Sequence, residues 1–194
     1  MKAAFLEFLG EDSIVLQPGP VWGRAAWTVR KEVTAKLEWV PDRAQLAQSG
    51  DFGFTTGPWL LTPVDPAAGK AEGRYFTVWQ PTVDGWRVLF DGGFGRDPAG
   101  AWDRRTDPPA LGTHDCAAGE SMPPGELQIL DLEMSGIPGG ETHTVRADRR
   151  LAPTAGLFHP PSGASANAAY VHVWCRQSDG WRLALQLRSD FPPG

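Results

Sequence analysis

The stretch that decides the fold is RYFTVWQPTVDGWRVLF at residues 74–90, which recurs 95 residues later as AYVHVWCRQSDGWRLAL at residues 169–185. The two copies align without a gap and share seven identical residues, two of them tryptophans. Agreement in such rare residue types is not expected by chance. It predicts an internal duplication, with one copy in each half of the chain.

Each copy has the pattern of a β-hairpin. A run of aromatic and β-branched residues leads into Asp-Gly, and a second such run follows. The Asp84-Gly85 and Asp179-Gly180 pairs supply the positive φ angles of a tight hairpin turn. Alternation along the strand places side chains on two faces, and both faces carry apolar residues, so both are expected to be covered. One face carries Tyr75, Thr77 and Trp79 in the first copy and Tyr170, His172 and Trp174 in the second, while the opposite face of the first copy carries Phe76 and Val78.

Composition excludes several classes of protein. The chain has 194 residues, 18 Lys and Arg against 23 Asp and Glu, and a net charge of −5, so no basic surface for nucleic acid is expected. No apolar run approaches the roughly 18 residues that span a bilayer, so no membrane partner is expected. The two cysteines are too few for a disulfide scaffold or a four-cysteine zinc site.

Upstream of the first hairpin, the pattern indicates an α+β unit with a curved antiparallel sheet. A short amphipathic helix is predicted at residues 1–9 and a second helix at 23–30. Strands are predicted at residues 14–16, 37–40, 43–48 and 52–61, the last of them interrupted at Gly57-Pro58. The first helix begins without a cap, which suggests that a segment preceded it. Residues 1–9 are too short and too acidic for a signal peptide, so the default location is cytoplasmic. Because a segment is expected to have preceded them, a mature exported fragment stays open.

The predicted domains are a first unit at residues 1–96, a Pro- and Gly-rich linker at 97–124, and a shortened second unit at 125–194. The second unit has about 70 residues, which is marginal for folding alone. We therefore expect it to pack on the first unit.

Several stretches resemble the NTF2-like superfamily, in particular its SnoaL-like and DUF4440 branch. They are FLGEDSIVLQPG at residues 8–19 with GRAA at 23–26, SGDFGFTTGPW at 49–59, and the hairpin sequences at 73–79 and 84–91. The resemblance is good over residues 5–92 and partial over 125–190, which makes the second copy a degenerate one.

The resemblance implies a cystatin-like α+β fold, in which a strongly bent antiparallel sheet wraps short helices as a cone with a pocket inside. Most of the family's long first helix is missing here. Because such domains usually pair through their sheets, the two units are expected to form a pseudo-dimer within the chain, and a homodimer stays open. The superfamily includes isomerases, cyclases, dehydratases, binding modules and assembly domains, so the fold does not settle the function.

Ketosteroid isomerase, in this superfamily, places an aspartate general base just before the proline of the first strand. Here Gln17 takes that place, and a carboxamide does not accept a proton at useful pH. No tyrosine precedes Tyr75 to supply the helix-borne oxyanion donor. Isomerase chemistry of that type is therefore not expected, and whether the protein is an enzyme stays open.

The candidate catalytic residues are Asp91 and His172. Asp91 follows an apolar strand, where it is either a base inside the pocket or a strand-end residue that caps a turn at Gly92-Gly93. His172 is either an acid–base group or a half-buried structural histidine. The residues predicted to contact a ligand are Trp59, Tyr75, Thr77, Trp79 and Asp91.

Metal and cofactor sites are not expected. His114-Asp115-Cys116 has no further ligand at a useful spacing, and the glycines after Asp91 are followed by Asp97-Pro98 rather than by a phosphate-binding helix. In an exported chain Cys116 and Cys175 would be able to form a disulfide, and the sequence leaves both states open.

Three functions remain in view. The first is a cone in the first unit that binds a small apolar or aromatic molecule. The second is an assembly module whose cone is filled by tryptophans. The third is an acid–base enzyme of the isomerase, cyclase or dehydratase type that uses Asp91 or His172.

Overall fold

The structure is a computed structural model that describes residues 1–17, 19–32, 34–47, 49–95, 111–112, 142–144, 151–158, 168–178 and 180–190. Within these ranges the chain is α+β, with two short helices and two mainly antiparallel sheets. The helices are α1 (Lys2–Phe8) and α2 (Gly23–Val29), and a 3-10 turn covers Pro66–Ala68. The first sheet contains β1 (Leu9–Leu16), β2 (Pro20–Trp22), β3 (Ala35–Trp39), β4 (Arg43–Leu46), β5 (Gly53–Pro63), β6 (Ala71–Thr82), β7 (Gly85–Phe94) and β8 (Leu111–Gly112). The second sheet contains β9 (Thr142–Thr144), β10 (Leu151–Phe158), β11 (Ala168–Gln177) and β12 (Gly180–Asp190).

Both helices that the sequence predicts, and each of the predicted strands, are present. The two Asp-Gly turns connect β6 to β7 and β11 to β12, and their glycines have positive φ angles of 99° at Gly85 and 131° at Gly180. The prediction that β5 breaks at Gly57-Pro58 is wrong, because β5 is one continuous strand. Pro58 has no N–H to donate to a neighbouring strand. It is tolerated because on one side of β5 the pairing with β4 ends at Thr56 and the pairing with β3 begins at Trp59.

The first sheet bends where β5 changes partner. β4 pairs with β5 at Gly53–Thr56, and β3 pairs with its other half, at Trp59–Pro63. The crossing chain passes so close to Gly57 that a Cβ atom there would lie 2.0 Å from the Val40 carbonyl oxygen. Glycine is therefore required at the bend. At the same bend, the Arg74 guanidinium on β6 donates two hydrogen bonds, of 2.8 and 2.7 Å, to the carboxylate of Asp42, which lies between β3 and β4.

The helices pack on the inner face of the bent sheet. Phe5 of α1 stacks on Trp27 of α2 with 3.9 Å between ring centroids and 7° between the ring planes. Arg24 of α2 donates hydrogen bonds to the carbonyl oxygens of Leu6 and Leu9, which satisfies acceptors at the end of α1. A buried cluster under the helices consists of Leu9, Val15, Trp27 and Val88.

The outer face of the first sheet packs against the second sheet. One buried cluster contains residues from both sheets, so the two share a core. Its members include Phe52, Phe54, Phe76, Val78, Phe90 and Phe94 from the first sheet and Leu151, Ala155, Val171, Val173 and Cys175 from the second. The prediction that both faces of the first hairpin are covered is confirmed.

The second sheet repeats the strand order of the first. Its order β12-β11-β10-β9 corresponds to β7-β6-β5-β4. The register shifts between Val78 and Trp79 in one hairpin and between Val173 and Trp174 in the other, which are the same positions of the repeat. The predicted linker and the start of the predicted second unit lie largely outside the described residues, so the boundaries at 96/97 and 124/125 stay predictions.

Neither α1 nor α2 nor any other helix in the described part of the chain is long and apolar enough to cross a membrane.

Candidate functional site

A cavity of about 330 Å³ lies between the inner face of the first sheet and the two helices. Its wall is mainly aromatic and aliphatic, and two of its lining residues, Phe8 and Trp39, are 44 % and 52 % exposed, so it reaches the surface beside them. The aromatic members of the wall are Phe5, Phe8, Trp27, Trp39, Trp59, Tyr75 and Trp79.

The structure brings all five predicted ligand-contact residues to this one cavity. Tyr75, Thr77 and Trp79 face it from β6, as the alternation predicts. Trp59 reaches it from β5 and Asp91 from β7, because both strands pair with β6. Their role toward a ligand stays a prediction.

His172 is placed elsewhere. It lies on β11 of the second sheet, with its ring between those of Tyr170 and Trp174 at centroid distances of 4.5 and 5.4 Å. It does not line the cavity, so it is not brought together with Asp91.

Asp91 is a residue within a strand rather than the end of one. The turn that the sequence suggests at Gly92-Gly93 is wrong, because β7 continues to Phe94 and these glycines pair with Phe76 and Tyr75. A Cβ atom at Gly92 would lie 2.9 Å from the Leu16 side chain and 3.1 Å from the Phe94 ring, so a larger residue there would make these side chains move. Asp91 therefore points from the sheet into the cavity instead of capping a turn.

The surroundings of Asp91 favour its neutral form. Burial raises the pKa of this carboxyl group to about 6 from an ordinary value of 3.8, and the hydrogen bond from Thr77 opposes part of the shift. That bond runs from the Thr77 hydroxyl to Asp91 Oδ1 over 2.6 Å. Asp91 consequently changes its charge in the range where a general base or a pH-dependent anchor operates.

Tyr75 and Trp79 are held together by Thr55. The Trp79 indole N–H donates to Thr55 Oγ1 over 2.9 Å, and the Tyr75 hydroxyl also bonds the Thr55 side chain. Burial raises the pKa of Tyr75 to about 12, with the charges of Asp42 and Asp91 acting in the same direction. The phenol therefore stays protonated.

Trp59 contributes a buried polar group to the cavity wall. Its indole Nε1 is buried and has no hydrogen-bond partner among the described residues. It lies beside Gly93, where a Cβ atom would be 3.7 Å away. Buried donors are usually paired, so this one is an exception within the cavity wall.

The end of the cavity at α2 was not predicted. It is formed by Trp27, Trp39 and Arg30, together with Phe5. The Arg30 guanidinium lies over the Trp27 ring, 4.6 Å from its centroid. The repeated hairpin sequence does not include these residues, which come from α1, α2, β3 and the residue after α2.

Gln17 also lines the cavity, close in sequence to Val15, which pairs with Asp91. The Gln17 carboxamide thus lies in the cavity wall, where the resemblance to ketosteroid isomerase places a carboxylate base. The carboxyl group that does line the cavity is that of Asp91.

Among the described residues, no three His, Cys, Asp or Glu side chains come together in a way that would hold a metal ion. His114, Asp115 and Cys116 lie outside the described residues. Cys175 is disulfide-bonded and buried in the core shared by the two sheets.

A bent sheet closed over short helices, with a pocket between them, is the architecture that the resemblance implied. The α+β class that the sequence predicts is confirmed. Among solved structures, the chain is similar to an NTF-2 like protein of unknown function from Shewanella oneidensis MR-1, with 12 % identity, 47 % of this chain and 80 % of that chain covered, and a TM-score of 0.38. It is also similar to the association domain of C. elegans CaMKII, with 9 % identity, 44 % and 74 % coverage, and a TM-score of 0.36. No family model and no curated protein sequence matches this chain.

Proposed function

We propose that this protein binds a small apolar or aromatic molecule in the cavity of its first sheet. The observation that carries the proposal is an aromatic-lined cavity of about 330 Å³ whose lining residues Phe8 and Trp39 are exposed at the surface. Ligand sites of roughly 300–1,000 Å³ with mainly apolar walls and a few polar groups are typical of small-molecule binding. A cone filled by its own tryptophans would leave no such space, so the cavity argues against a purely structural module.

The polar groups of the wall are few and lie among apolar ones. Asp91 and Thr77 form one hydrogen-bonded pair, and Trp59 offers a buried donor. Such an arrangement orients a mainly apolar ligand with little cost of desolvation. Compounds of two fused rings match the space.

Blocking the cavity tests the proposal. Gly93→Leu introduces a side chain into the cavity at a position whose nearest Cβ contact is 3.7 Å, so we expect folding to be retained. Wild type is expected to gain thermal stability with naphthalene-sized neutral compounds, and Gly93→Leu is expected to lose at least tenfold in affinity by calorimetry. Gly95→Leu is the matched control, because Gly95 lies outside the cavity and no atom of the described residues is within 4 Å of its Cβ position. Equal binding by all three proteins would contradict the proposal.

Acid–base catalysis at Asp91 is the second candidate, and the pKa of about 6 inside a cavity is what favours it. In this mechanism the Asp91 carboxylate removes a proton from the carbon next to a ligand carbonyl, giving an enolate. The same carboxyl group then returns a proton to carbon. His172, which lies outside the cavity, takes no part.

Exchange of carbon-bound hydrogen tests this candidate. With the two-ring ketone 2-tetralone in heavy water, we expect faster exchange of the protons next to the carbonyl, with a rate that rises through about pH 6. Asp91→Asn is expected to lower the enzymatic rate by about 10²–10⁴-fold, which is the usual contribution of a general base. Asp84→Asn, in the exposed β6–β7 turn, is the control. An Asp91→Asn protein that exchanges as fast as wild type would exclude this mechanism.

An internal duplication accounts for the second sheet. It is supported by the shared strand order, by the register shift at the same place in both hairpins, and by a repeated hydrogen bond. The Trp174 indole donates to Thr154 over 3.0 Å, as the Trp79 indole donates to Thr55 over 2.9 Å. In this proposal the second unit is a reduced copy that covers the outer face of the first as the partner in a pseudo-dimer.

A further inference from the structure

Arg30 is a cation on the wall of an otherwise apolar cavity. It follows directly after α2, is partly buried, and lines the cavity together with Trp27 and Trp39. Its guanidinium rests on the Trp27 ring at 4.6 Å, and no carboxylate in the described part of the chain lies within ion-pairing distance of it. A partly buried arginine is usually paired, so this one is prepared for an anion that the described residues do not supply.

The charges around Arg30 leave a positive surplus. The Lys2 ammonium donates to the carbonyl oxygens of Thr28 and Arg30 over 2.6 and 3.0 Å, and its charge also acts on the Glu32 carboxylate. Glu32, the nearby acidic residue, is engaged by the Met1 amino group at 3.1 Å. The Glu32 carboxylate thus interacts with Met1 and Lys2, and no ion pair joins it to Arg30 among the described residues.

We infer that the ligand is an apolar ring compound that carries a carboxylate, which binds the Arg30 guanidinium while the rings occupy the aromatic part of the cavity. The inference rests on the proposed function and adds the chemical class of the ligand. A guanidinium stacked on an indole presents its N–H groups in a fixed plane, and a carboxylate matches two of them at once. Because the aromatic rings keep water away, the attraction between the guanidinium and the carboxylate is stronger in the cavity than it is in water.

The orientation of such a ligand follows from the two charged residues of the cavity wall. Arg30 belongs to the part formed by the helices and β3, whereas Asp91 is on β7 beside Thr77. A ligand carboxylate is attracted by the Arg30 guanidinium, and it is repelled by Asp91 when Asp91 is ionised. The charged end is therefore expected at Arg30 and the ring system toward the sheet.

The test compares naphthalene-2-carboxylate with naphthalene-2-carboxamide by calorimetry at pH 7.5 and low salt. Wild type is expected to bind the carboxylate at least tenfold more tightly than the amide. Arg30→Gln is expected to remove this preference and to change amide affinity by less than twofold, and Arg30→Lys is expected to keep part of it. Lys31→Gln removes an exposed neighbouring cation outside the cavity and is expected to keep the whole preference.

The possible outcomes separate the two proposals. Equal affinity of wild type for both compounds, with binding blocked by Gly93→Leu, would overturn the role of Arg30 and leave cavity binding intact. If Lys31→Gln also loses the preference for the carboxylate over the amide, the role of Arg30 is overturned as well, because the preference would then come from the general positive charge of the surface. Absence of binding by both compounds would overturn the proposed function itself. If Arg30→Gln weakens both compounds equally, Arg30 only supports Trp27, and the inference is wrong.

Discussion

Phe76→Ala is expected to lower the free energy of unfolding by about 3–5 kcal/mol, the usual cost of removing a fully buried phenylalanine. Phe76 has no exposed surface and lies in the core that the two sheets share. Its ring is 5.1 Å from that of Phe54 and 6.5 Å from that of Phe90. On β7 its partner is Gly92, which has no side chain to move into the space left behind.

The control for this substitution is Trp86→Ala on β7. Trp86 is 44 % exposed, so its removal is expected to cost less than about 1 kcal/mol. Urea titrations of the two variants and wild type give the comparison. A loss below about 1 kcal/mol for Phe76→Ala would mean that the outer face of the first sheet is not covered as the structure has it.

Asp91→Asn is expected to stabilise the protein at pH 8 and to leave its stability unchanged at pH 3.5. The ordinary pKa of 3.8 describes Asp91 in the unfolded chain, and burial raises the folded value to about 6. Between these values the folded protein holds the proton more tightly, so the contribution of Asp91 to stability falls as the pH rises. Above about pH 6 the ionised Asp91 lowers the free energy of unfolding by its full amount, on the order of 2–3 kcal/mol. This value follows from about 1.4 kcal/mol for each unit of difference between the folded and unfolded pKa.

An asparagine in this place carries no charge at any pH, so it avoids that cost while its side-chain oxygen still accepts from the Thr77 hydroxyl. Denaturation midpoints at pH 3.5 and pH 8 measure the difference. Asp84→Asn, at an exposed turn, is expected to show no such pH-dependent gain. Equal destabilisation of Asp91→Asn at both pH values would mean that folding does not raise the pKa of Asp91.

The hairpins and their faces were predictable because the information is local. Alternation over residues 75–79 assigns each side chain to a face, and Asp-Gly fixes the turn. The structure accordingly places Phe76 and Val78 in the shared core and Tyr75, Thr77 and Trp79 on the cavity.

The remainder of the cavity wall depends on contacts between segments that are distant in sequence. Arg30 and Trp39 line the cavity because Phe5 stacks on Trp27 and β3 joins the far half of β5. No periodicity in a single segment reports such an arrangement. Asp91 was ambiguous because a Gly-Gly pair usually marks a turn, whereas here Gly92 and Gly93 belong to a continuous strand, with the Leu16 and Phe94 side chains close to Gly92.

The most direct measurement of ligand binding in this cavity is a titration followed by the indole N–H signals of the tryptophans in a ¹⁵N–¹H NMR spectrum. Trp27, Trp39, Trp59 and Trp79 line the cavity, whereas Trp22 and Trp86 are on the surface outside it. With naphthalene-2-carboxamide as the probe, the account predicts shifts for the four cavity tryptophans that saturate together, and unchanged signals for Trp22 and Trp86. Shifts confined to the surface tryptophans, or no shifts up to the solubility limit of the probe, would contradict it.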